Sequence, residues 1–106
     1  MRDKKLKKII HTIVSKAKPE KIYLFGSRAT GSAKQESDYD ILVVQKTRLS
    51  NYERILSLRN LFKLKDFSLF SLDILVYTPS EIKKWENATA SFIHHVLKTG
   101  KLVYER

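Results

Sequence analysis

The chain has 106 residues, a formal net charge of +10, 42% hydrophobic and 30% charged residues, and no cysteine. That length predicts one domain spanning 1–106, with a modest core and no room for a separate substrate-binding domain. Disulfides, thiolate metal sites and cysteine nucleophiles are excluded, and the short apolar runs and charged N-terminus match neither a membrane span nor a signal peptide, so a cytoplasmic protein is expected.

Leu6, Ile9, Ile10, Ile13, Val14 and Ala17 keep the rhythm of an amphipathic helix that Pro19 ends, with lysines on its other face. Residues 1–21 hold eight basic side chains against Asp3 and Glu20, a net +6. Such a face attracts nucleic acid, an acidic protein or a polyphosphate, or is simply solvated. His11 reads as a helix-boundary residue. Lys21–Phe25 is a short apolar run stopped by Gly26, the pattern of a buried strand. Residues 26–37 are rich in glycine, serine and alanine, with room for a short helix from Ser27. Tyr39–Val44 reads as the second strand, antiparallel to the first because no crossover helix separates them, and the sheet is therefore mixed.

Ser50 and Glu53 form a capping box for a helix carried by Ile55, Leu56, Leu58, Leu61 and Phe62 to about Lys65. Phe70, Leu72, Ile74 and Val76 alternate with Ser71, Asp73, Leu75 and Tyr77 as in a strand. Thr78, Pro79 and Glu81 then supply an N-cap, a first-turn proline and a reciprocal glutamate. Ile82, Trp85, Thr89, Phe92, Ile93, Val96 and Leu97 mark the inner face of one helix or of two broken near Asn87, and Trp85 reads as core. Gly100 stops this segment, and Leu102–Tyr104 forms a last short strand. The order α-β-β-α-β-α-(β) defines an α+β domain with three to four strands.

The chemistry gathers at three places. Gly26 frees the backbone for positive φ and close approach, and Ser27 adds a hydroxyl at a helix start, where phosphates bind. Asp38 and Asp40 are spaced i, i+2, so in a strand they share one side with Cα atoms roughly 6.6–6.8 Å apart. Asp40 also shares its face with Leu42 and Val44, where an unpaired carboxylate is costly and a bound cation relieves the cost. Asp73 repeats the pattern on the face of Leu75 and Tyr77. Oxygen-only ligands of this kind suit Mg²⁺ or Mn²⁺, and paired ions about 3.5–4 Å apart serve phosphoryl transfer. His94 and His95 project about 100° apart on a helix and miss the i, i+4 spacing of a two-histidine metal site. A surface or partner contact is read for at least one of them.

The segment GSRATGSAKQESDYDILVV resembles the Gly-Ser…Asp-x-Asp motif of the polymerase β-like nucleotidyltransferase superfamily, and its form is similar to the minimal nucleotidyltransferase (MNT) proteins. The likeness extends to LDILVYTPSEI and to HHVLKTGKLVYER, nearly the whole chain. The resemblance implies that Gly26 and Ser27 hold the β- and γ-phosphates of ATP and that Arg28 reaches the triphosphate. Asp38, Asp40 and Asp73 are the implied catalytic metal ligands for Mg²⁺, with Asp73 helping to deprotonate the acceptor. Thr30 departs from the pattern, since many relatives carry arginine there, and looser nucleotide binding is expected. MNT proteins of this size commonly partner a helical HEPN toxin, an RNase. Some neutralise it by moving AMP from ATP to a toxin tyrosine, and others by binding. The leading expectation is accordingly an Mg²⁺-dependent protein adenylyltransferase acting as antitoxin. Its alternative is a binding-only antitoxin, and a basic nucleic-acid-binding module ranks last.

Overall fold

The N-terminal helix α1 (Lys4–Ala17) forms where the apolar rhythm requires it, with Leu6, Ile9, Thr12 and Ile13 buried. Asp3 caps it by accepting from the Leu6 amide at 3.0 Å. The chain leaves α1 through Lys18, at φ 50°, before Pro19. A computed structural model describes residues 3–34, 37–64 and 72–106. His11 lies exposed in the middle of α1 rather than at a helix boundary, because the helix runs on for six residues beyond it.

Strand β1 (Lys21–Phe25) leads through the one-turn helix α2 (Ser27–Thr30) to β2 (Tyr39–Val44). Helix α3 (Asn51–Leu64) then crosses to β3 (Leu72–Tyr77), and α4 (Pro79–Trp85), α5 (Phe92–Thr99) and β4 (Lys101–Glu105) complete the order. The four strands form one sheet in the order β3-β2-β1-β4. β1 is antiparallel to β2 and to β4, whereas β2 and β3 run parallel, so the sheet is mixed as expected. The positions expected at Lys65, Phe70 and Ser71 lie outside the described residues.

The period-2 alternation of the strands sorts their side chains onto two faces. On one, Ile22, Leu24, Tyr39, Ile41, Val43, Ile74 and Val76 pack against Leu6, Ile9 and Ile13 of α1 and Leu58 and Phe62 of α3. On the other, Leu42 and Val44 pack with Val96 of α5, Ile82 of α4, Tyr23, Phe25, Leu75 and Tyr77. Leu56, expected on the inner face of α3, is exposed, as are Leu49 and Tyr52.

Both capping boxes form. Ser50 and Glu53 exchange hydrogen bonds, Glu53 N donating to Ser50 Oγ at 3.3 Å and Ser50 N to Glu53 Oε1 at 3.2 Å. Thr78 and Glu81 do the same at the start of α4, and Arg54 of α3 adds an ion pair to Glu81 at 2.8 Å. The last helical segment divides in two because Ser91 starts a new helix, accepting from His94 N while its hydroxyl donates to the Trp85 carbonyl at the end of α4. Trp85 is 44% exposed, with the Lys84 ammonium 5.3 Å from its ring centre, and is not a core residue. His94 donates from Nδ1 to the Glu86 carbonyl at 2.7 Å, and His95 faces solvent. Gly100 follows the last helical residue, Thr99, so the helix stops where expected, with an ordinary φ of −80°. A glycine fits that point because a Cβ would lie 2.5 Å from the Val96 carbonyl oxygen and 3.0 Å from that of Leu24. Among the described residues no helix is long and apolar enough to cross a membrane.

Candidate active site

Three loop-proximal strand ends meet at one edge of the second face. β1 ends at Phe25, which pairs with Asp40 near the start of β2. Asp40 pairs in turn with Asp73 near the start of β3. The parallel register thus sets the two acids side by side on neighbouring strands, which lie about 4.7–4.9 Å apart. Asp38 stands two residues before Asp40, exposed, in the coil that enters β2.

Burial raises the Asp40 carboxyl above its ordinary value of 3.8, and the negative charges of Asp73 and then Asp38 raise it further. None of the three ion pairs among the described residues involves these aspartates. Among the described residues, therefore, no ion pair balances the negative charge gathered here. Such a donor set fits a hard divalent cation. Among the described residues no three Asp, Glu, His or Cys side chains close a metal cage by themselves. Mg²⁺ needs no such cage, since it is usually bound through one or two carboxylates together with substrate phosphates.

Gly26 makes the close approach possible. It sits at φ 72° and ψ −155°, a conformation essentially reserved for glycine. A Cβ there would collide with Oδ2 of Asp40. The one-turn helix follows directly, with Ala29 N and Thr30 N both donating to the Gly26 carbonyl. Ala29 is buried and anchors the turn, and Gly31, at φ 83°, ends it. Ser27 is half-buried beside this corner. Thr30 turns inward on its own loop, its hydroxyl 3.3 Å from the Ser27 carbonyl oxygen and 3.0 Å from Ser32 Oγ.

Arg28 follows Ser27 in the same turn. Its guanidinium donates to the Ser37 carbonyl through Nε at 3.1 Å and Nη2 at 2.8 Å, and to the Lys34 carbonyl at 3.4 Å. The same group lies 3.9 Å from the centre of the Tyr39 ring. These contacts join it to the loop and to the residue before Asp38. Tyr39 and Asp3 lie outside the motif residues, yet the Tyr39 hydroxyl donates to both Asp3 carboxylate oxygens at 3.0 and 2.9 Å. The one available signal was Tyr39 itself, an apolar-face position whose hydroxyl must find a partner when buried.

A positive-φ glycine at a polar corner thus stands opposite carboxylates on adjacent strands of a mixed sheet. Residues 7–106 match the family described as polymerase beta nucleotidyltransferase, and the chain belongs to that family. No curated protein sequence matches it. Its fold is similar to that of a Sulfolobus solfataricus protein assigned as a nucleotidyltransferase, at 24% identity over 95% of this chain and 78% of that one, TM-score 0.67. It is also similar to a chain of a toxin–antitoxin solved with AMP-PNP, at 24% identity over 93% of this chain and 73% of that one, TM-score 0.60. A variant of the MntA–HpeT toxin–antitoxin aligns at 27% identity over 95% of this chain and 72% of that one, TM-score 0.59.

Proposed function

We propose that this chain is an Mg²⁺-dependent adenylyltransferase that moves AMP from ATP to a tyrosine of a HEPN-type toxin and so acts as its antitoxin. The observation that carries the reading is the register that pairs Asp40 with Asp73, with Asp38 and Gly26 against the same edge. Asp38, Asp40 and Asp73 would hold the metal, which supplies charge neutralisation at the phosphates. Gly26 and Ser27 would receive the β- and γ-phosphates, the missing Cβ allowing the chain to approach them. The acceptor oxygen attacks the α-phosphorus, a P–O bond forms, and pyrophosphate leaves as the α–β bridging bond breaks. Asp73, exposed at the strand end, would accept the acceptor's proton. Positioning and charge stabilisation supply most of the acceleration in this class of chemistry.

The acceptor in this reading is a partner protein. The toxin–antitoxin neighbours support a toxin as that partner. Incubation with α-labelled ATP, Mg²⁺ and the cognate partner tests the reading: label on a partner tyrosine, lost in Asp38→Ala and Asp40→Ala, is the expected result. An unlabelled partner that is still neutralised by both variants would leave binding alone as the mechanism. That second reading draws on the exposed apolar side chains Tyr52 and Leu56 of α3 and Leu49 just before it, where a partner could dock without chemistry.

A further inference from the structure

We infer that Arg28 is a positioning residue that locks Asp38 to the Gly26 corner, through a bracket running from the start of α1 to the loop before β2. The inference rests on the reading of Asp38 as a metal ligand. Asp38 lies outside β2 and is exposed, so no strand pairing holds it in place. Its backbone is fixed instead by the residue before it, whose carbonyl accepts two N–H groups from the Arg28 guanidinium. Arg28 belongs to α2, which begins at Ser27 immediately after Gly26. One side chain therefore joins the phosphate-side corner to the acid-bearing loop.

The guanidinium is held from behind as well. It stacks on the buried ring of Tyr39, which is 4% exposed, and the Tyr39 hydroxyl is anchored on Asp3. Asp3 is itself fixed by capping α1 through the Leu6 amide. Planar stacking and a forked donor are properties of arginine that lysine lacks. The Lys34 carbonyl and the Ser37 hydroxyl, which accepts from Lys34 N at 2.8 Å, close the same loop. Supports of metal ligands act in this way, and their removal typically lowers metal affinity by about 10–100-fold.

The test measures Mn²⁺ binding by water-proton relaxation without nucleotide, and hydrogen exchange of the amides of Gly31–Lys34, Ser37 and Asp38. It compares wild type with Arg28→Ala, Arg28→Lys and Tyr39→Phe. Arg28→Ala is expected to weaken Mn²⁺ about 10–100-fold and to speed exchange in the loop. Arg28→Lys should restore little of either, and Tyr39→Phe, which keeps the ring, should show a smaller version of both. Wild-type loop exchange and Mn²⁺ affinity in Arg28→Ala, with ATP affinity lost, would overturn the bracket and make Arg28 a direct phosphate ligand. If wild type itself binds no Mn²⁺, the reading of the three acids fails. The bracket is then decided by exchange alone, and unchanged exchange in Arg28→Ala and Arg28→Lys overturns it.

Discussion

The two faces of the sheet are built from alternate residues of the same strands, yet they tolerate opposite things. In β2, Tyr39, Ile41 and Val43 point into the core under α1 and α3, and all are buried. The intervening Leu42 and Val44 are buried too, but Asp40 leads that row and faces Asp73 across the parallel pair. The first face is closed over its whole length and optimised for packing. The second is apolar only toward the far end of β2 and β3, and at their N-terminal ends it concentrates like charges. Stability resides in the first face, and the second gives some of it up at the acids for a site.

Substitutions one residue apart should separate these roles. Ile41→Ala removes a side chain with no exposed surface. It should cost about 2–5 kcal/mol, seen as a lower midpoint in urea, while any protein still folded keeps its transfer rate. Asp40→Asn should do the reverse. Transfer should fall by at least about 100-fold, the scale for loss of a preorganised electrostatic group, and the metal-free protein should become more stable at neutral pH because two like charges lose a neighbour. Thermal unfolding with and without Mg²⁺ checks the pair: the cation should raise the midpoint of wild type and leave that of Asp40→Asn nearly unmoved. A fall in metal-free stability in Asp40→Asn would break the comparison.

Gly26→Ala lies between these extremes, because it touches both roles at once. The backbone at φ 72° and ψ −155° is essentially closed to other residues, a strain of about 1–3 kcal/mol. The added Cβ also meets the tip of the Asp40 side chain, which can rotate away. Folding should therefore survive, while the displaced carboxylate lowers transfer further than the stability loss explains. Activity per folded molecule, measured under conditions where the variant is fully folded, is the deciding quantity.

Much of this division could be read from residue spacing. Alternation alone puts Asp40 with Leu42 and Val44 and Asp73 with Leu75 and Tyr77, and the faces form as that pattern requires. The helix starts at Ser50 and Thr78 were equally legible, because a capping box is local chemistry. What spacing could not supply was register across strands: nothing local states that Asp40 pairs with Asp73 rather than with a residue two places away. The contacts of Arg28 were out of reach for a related reason. Its partners are carbonyls up to nine residues off and a ring on β2, contacts that exist only after the loop closes. Helical periodicity puts Trp85 in the core, but the helix breaks after it and the ring, at the end of a seven-residue helix, is 44% exposed. Gly100 ends the helix as expected, whereas the crowding by two carbonyls that asks for glycine there leaves no sign in composition.

The smallest effect expected is in the pH dependence, where two carboxyls in the same fold should titrate with opposite signs. Asp40 has its carboxyl raised above 3.8 by burial and by Asp73 and Asp38. As pH rises through the interval above 3.8, the unfolded chain releases that proton first, so the native state loses stability. For Glu81, burial alone would raise the carboxyl, but the Thr78 amide and the Arg54 guanidinium outweigh it and hold it below 4.5. Its contribution is fully present above 4.5 and is lost as pH falls below that value through the folded pKa. Asp40→Asn should therefore gain on wild type as pH rises from the acid side, and Glu81→Gln should close its deficit as pH falls. Each difference should amount to a few degrees or less in the thermal midpoint without metal. Mg²⁺ should reverse the sign for Asp40 only, because a bound cation stabilises the ionised form of that carboxyl and leaves the Glu81–Arg54 pair untouched. A midpoint for wild type against Asp40→Asn that shows the same pH slope with and without Mg²⁺ would remove the metal from this edge of the sheet.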